Sequence, residues 1–76
     1  MKANKKVFVV ATKFFLRQES FGGLLFTPIT GELVQLNKLA FYLLERLTRY
    51  GSITARTKDL SFWKELQKKD LVKEVS

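Results

Sequence analysis

The chain has 76 residues, 46% of them apolar, with fourteen Lys and Arg, seven Asp and Glu, and neither Cys nor His. That length holds one small domain, whose folding removes only about 60% of the unfolded chain's surface from water, so a partner or a second copy is a natural source of further stability. The missing Cys and His exclude a disulfide framework, thiolate or imidazole catalysis and the usual zinc sites, while a net charge of +7 and a pI near 10.0 favour an acidic or phosphate-bearing partner.

Residues 1–12 form a basic N-terminal segment, expected as a tail or an extra strand, and 13–76 the folded binding domain. Its basic start and the run Val7 to Ala11 have the outline of a signal peptide, but five apolar residues fall short of the roughly 7 to 15 required, and Lys13 interrupts the pattern. No run approaches the about 18 apolar residues of a membrane span. The expected location is cytoplasmic, with no membrane partner.

Apolar and β-branched runs at 13–18, 22–27 and 32–36 predict a three-stranded antiparallel meander. Ser20, Gly22 and Gly23 mark its first turn, and Thr27-Pro28-Ile29-Thr30-Gly31 its second. Asn37 is suited to cap a helix over 37–50, whose face is Leu36, Leu39, Ala40, Leu43, Leu44, Leu47 and Tyr50, with Gly51 as the stop. Residues 51–59 are too polar and β-branched for more than a short turn. A last helix begins near Asp59 or Ser61 with Phe62, Trp63 and Leu66 at helical spacing, and Leu71, Val72 and Val75 dock the tail. The expected class is α+β, a three-stranded antiparallel sheet followed by two or three helices.

The seven carboxylates, from Glu19 to Glu74, are dispersed among Lys and Arg, as on a solvated surface. Gly22-Gly23 opens a strand instead of joining a strand to a helix, so it reads as a tight turn or a close backbone approach and not as a phosphate loop. The expectation is a binding protein, not an enzyme, without metal or cofactor. Three features bear on what it binds: the basic charge, the third strand Glu32-Leu33-Val34-Gln35-Leu36 at a sheet edge, and Trp63 among Lys64, Gln67 and Lys68. An open edge presents unpaired N–H and C=O groups to an incoming strand. Trp63 reads either as core or as one wall of a groove beside that strand.

Arg17-Gln18-Glu19-Ser20-Phe21-Gly22-Gly23-Leu24-Leu25-Phe26, followed after a turn by Leu33-Val34-Gln35-Leu36-Asn37-Lys38-Leu39-Ala40, resembles the PqqD-like family of RiPP precursor peptide recognition elements. Within it the chain is most similar to the mycofactocin-system peptide chaperones, in which an Arg-x-Glu-x-Phe-Gly strand pair precedes a Leu-Asn-x-x-Ala helix start. The resemblance covers residues 9 to 50, and 66–72 resembles the family's final helix and exit; 51–59 is shorter and less helical than the family's second helix. It implies a small winged-helix-like domain that binds the leader of a ribosomally made precursor peptide by strand addition. A separate radical S-adenosylmethionine maturase would then act on that peptide.

Carried onto this chain, the resemblance assigns the ladder to the backbone of Leu33, Val34, Gln35 and Leu36, counts Glu32 among the peptide-binding residues, and gives the facing wall to Trp63, Leu66 and Gln67. Lys64 and Lys68, with Lys69, would attract leader carboxylates. Either Leu33 and Gln35 or Val34 and Leu36 face the cleft, since alternate side chains point to opposite faces. Arg17 and Glu19 are a structural pair. The rivals are a basic winged-helix nucleic-acid-binding protein and an adaptor subunit of an enzyme complex. Nucleic acid is disfavoured because the helix at 37–50 supplies only Lys38, Arg46 and Arg49. A homodimer through the edge strand is left open.

Overall fold

The computed structural model describes residues 6–75. In chain order they form β1 (Lys6–Val10), β2 (Phe15–Glu19), β3 (Gly22–Thr27), β4 (Glu32–Asn37), α1 (Lys38–Tyr50), β5 (Ser52–Ala55), a 3-10 turn (Thr57–Asp59), α2 (Leu60–Lys68) and β6 (Val72–Val75). The result is a small α+β domain with two antiparallel three-stranded sheets, β2-β3-β4 and β5-β1-β6, and two helices.

The first sheet is the expected meander. Its register places Leu16, Leu25 and Val34 on one rung, and Gln18, Gly23 and Leu36 on another of the same face. Leu25 and Leu36 are buried there against α1. The alternate face carries Phe15, Phe26 and Leu33 side by side, 52%, 41% and 61% exposed. Gly31, at a φ of 74°, closes the β3–β4 turn by donating its N–H to the Thr27 carbonyl at 2.8 Å.

Helix α1 begins and ends as its sequence directs. The Asn37 side chain accepts from the Ala40 N–H at 2.8 Å, and Gly51, left-handed at a φ of 84°, donates to the Leu47 carbonyl at 2.8 Å. Leu43, Leu44 and Leu47 are buried, and the helix packs on strands of both sheets, so it is the shared layer of the fold.

The second sheet goes beyond the sequence expectation. Residues 6–10 of the basic segment take the strand alternative and form its central strand, while Ser52–Ala55, expected without regular structure, pairs with them on one side and the docked tail on the other. The physical reason is that these strands are only four or five residues long and find partners far away in sequence, as in the rung Ile53, Phe8, Glu74. Phe8 is fully buried and stacks on Trp63, which joins this sheet to α2. Among the described residues no helix is long and apolar enough to cross a membrane.

Helix α2 ends in a Schellman motif: Asp70 donates to the Gln67 carbonyl at 3.0 Å and Leu71 to the Leu66 carbonyl at 3.0 Å. Leu66 and Leu71 are both buried beneath it. The left-handed position, with a φ of 63°, is held by Asp70 where glycine would fit without a Cβ penalty. Asp70→Gly should therefore stabilise the domain by about 0.5 kcal/mol, the smaller left-handed cost outweighing glycine's extra unfolded-state freedom. A urea midpoint at or below that of the parent chain would show that Asp70 contributes something beyond its backbone conformation.

Candidate functional site

The site is built around β4, which pairs with β3 on one side and forms an edge of the sheet on the other among the described residues. Helix α2 approaches β4 at both of its ends. At its C-terminal end Lys69 Nζ lies 3.5 Å from Glu32 Oε2, where β4 begins. At its N-terminal end Lys58, Asp59 and Phe62 line a recess of 190 Å³ together with Asn37, where β4 ends, and Leu39, Ala40 and Leu43 of α1. Helix α2 itself packs on β6 and the 3-10 turn. A strand edge, a basic residue at one end and a mainly apolar recess at the other thus lie along one line.

The residues expected at the site divide between this groove and the core. The face of β4 turned toward the helices carries Glu32, half-buried Val34 and buried Leu36, while exposed Leu33 and Gln35 lie on the opposite face. Of the two alternating pairs, Val34 and Leu36 are therefore the one turned toward the helices. Leu66 is buried and Gln67 half-buried.

Trp63 requires correction as a groove wall. Its side chain is 0% exposed, stacked on Phe8 at 5.6 Å with an interplanar angle of 16°, and met edge-on by Phe62 at 5.0 Å and 71°. Its indole N–H has no acceptor among the described residues. The cause is helical phase: residues 62 and 63 are adjacent in sequence but about 100° apart around α2, and it is Phe62 that reaches the recess.

The expected cations also shift by one helical face. Lys64 Nζ lies 4.0 Å from Glu74 Oε1 on β6, and Lys68 follows one turn later on that side, so Lys69 is the cation at β4. Phe62, Leu39 and Lys58 are the residues that sequence reasoning missed. Leu39 is 51% exposed at the first turn of α1, and an apolar residue left in water beside a recess is the signal that marks it.

Arg17 and Glu19 do pair, Nε to Oε2 at 2.7 Å, on the first strand of the meander and away from the groove. Comparison with protein-family models, with curated proteins and with solved structures finds no match to this chain.

Proposed function

We propose that this chain is a stand-alone recognition element that binds the leader of a ribosomally made precursor peptide as an added strand on β4 and presents it to a separate modifying enzyme. The observation that carries the reading is the free edge of β4 among the described residues, with Lys69 of the α2 C-cap at one end and the apolar recess at the other. Main-chain pairing supplies affinity in such complexes, and pockets for alternate side chains supply selectivity. An amphipathic leader with a carboxylate near Lys69 and a large apolar side chain near Phe62 is the matching ligand. The meander followed by α1 and α2 supports the reading, with β5 and not a further α-helix between the two. The resemblance of Arg17 to Ala40 to the PqqD-like family supports the same assignment and names the enzyme class as a radical S-adenosylmethionine maturase.

An adaptor role is the second reading. It is favoured by the exposed row Phe15, Phe26 and Leu33, an apolar surface on the outer face of the same sheet that a maturase would cover.

The test is a titration of the labelled chain with the leader encoded in a neighbouring reading frame. One-to-one binding with amide shifts at 32–37 is expected, and Lys69→Glu should weaken it several-fold at low salt. Backbone N–H groups alternate sides along a strand, so Val34→Pro and Gln35→Pro form a diagnostic pair. One removes a bond to β3 and destabilises the hairpin, while the other stays folded and loses binding by at least about tenfold. Saturating leader with no shift at 32–37 would remove the proposal.

A further inference from the structure

Further along the same face of α1, past the shared Leu43, a second set of residues is arranged for a different ligand. Tyr42, Arg46 and Tyr50 follow one another at four-residue spacing and form a row along the helix. The Arg46 guanidinium lies 5.6 Å from the Tyr42 ring centroid and 5.3 Å from that of Tyr50, and Arg46 donates to the Tyr42 hydroxyl at 3.4 Å. Both rings remain largely in water, 51% and 63% exposed. None of the ion pairs among the described residues includes Arg46, so its charge is held in place by π faces and is not neutralised.

The row borders a cleft of 520 Å³ between α1 and β5, whose other side presents Ser52, Thr54 and Arg56. Arg56 Nε donates to the buried carboxylate of Asp59 at 2.9 Å, which fixes the side chain while leaving it 58% exposed. Two guanidiniums and one carboxylate give this lining a net charge of +1. The volume suits a small organic ligand, for which about 300–1,000 Å³ is usual.

Guanidinium forks match phosphate oxygens, exposed phenol rings offer stacking faces for a flat heterocycle, and the Ser52 and Thr54 hydroxyls can bond sugar or phosphate oxygens. An acidic peptide segment would use the charge and leave the rings idle. We propose that this cleft binds a nucleoside phosphate, with its phosphate against Arg46 and Arg56 and its base stacked on Tyr50. Such a site differs from a duplex-reading helix because it offers ring faces and not polar groups aimed at base edges. It shares no lining residue with the β4 edge apart from Leu43 and Asp59, which also border the recess.

The experiment titrates the full chain with adenosine monophosphate, adenosine, inorganic phosphate and a twelve-residue oligo-dA, followed by amide shifts at low salt. The monophosphate should bind about tenfold more tightly than either fragment, with shifts confined to residues 42–56, and Arg46→Ala should cost about tenfold or more. Tighter binding of the oligonucleotide per nucleotide identifies a single strand as the source of the ligand, and equal binding identifies a free nucleotide. Arg46 is exposed, and far-UV circular dichroism checks the fold. Should the alanine variant not fold, Arg46→Lys keeps the charge, removes the fork and should still lose affinity. Leader binding should be unchanged in these variants, which separates this site from the β4 edge. No shift at millimolar monophosphate, equal affinity in the Arg46 variants, or shifts at 42–56 with an acidic peptide alone would overturn the proposal.

Discussion

Trp63→Ala is expected to cost about 3–5 kcal/mol of folding stability, the range for removing a large aromatic side chain from a packed interior. A domain of 76 residues has roughly 4–11 kcal/mol in total, so the variant should lose on the order of half of its stability and unfold at a clearly lower temperature. The indole lies between Phe8 of β1 and Phe62 of α2, and the void left by its removal opens where the second sheet meets the helix. Strand β1 pairs only with β5 and β6 among the described residues, so a loosened Phe8 should unravel that sheet before the meander. Trp63→Phe should be far milder, at about 1–2 kcal/mol, because it keeps most of the contact and removes an N–H that lacks an acceptor among the described residues. Urea unfolding followed by circular dichroism measures both variants, and in the parent chain the fluorescence of this single tryptophan follows the same transition. Unchanged stability of Trp63→Ala, accompanied by weakened leader binding, would return the residue to the groove.

The contrast between Trp63 and β4 shows which parts of the fold are legible in sequence. Local signals carry far: the turns around Gly22 and Gly31, the Asn37 cap and the Gly51 stop each act within a few residues, and they bound the meander and α1 nearly to the residue. The second sheet is hidden because Lys6–Val10, Ser52–Ala55 and Val72–Val75 are short, carry little hydrophobic alternation of their own and gain their structure only from one another. At the candidate site the strand edge can be read from the meander. Helix phase cannot, since in the run Phe62-Trp63-Lys64 apolar character marks two neighbours alike and only packing decides which enters the core. The same uncertainty of phase separates Lys69, beside Glu32, from Lys64, beside Glu74.

Gly22→Ala should cost about 3 kcal/mol, combining backbone strain with overpacking. Gly22 has a φ of 146°, a conformation that side-chain-bearing residues rarely adopt, and a Cβ there would collide with the Leu36 carbonyl oxygen and with the Asn37 backbone, whose oxygen would lie at 2.8 Å. These obstacles are main-chain atoms of the partner strand, so no rotamer change relieves them. Gly31→Ala is the control: it has a φ of 74° and open space around the site, and should show the conformational cost alone, about 1 kcal/mol. The difference between the two urea midpoints measures the collision. Its consequence reaches the candidate site because Asn37, opposite Gly22, ends β4, caps α1 and lines the recess beside Phe62. Displacing it should expose the Ala40 amide that it caps, and faster hydrogen exchange at Ala40 in Gly22→Ala than in Gly31→Ala is the specific expectation. Equal exchange in the two variants would mean that the strain at Gly22 dissipates within the turn and that the end of β4 is held by α1 instead.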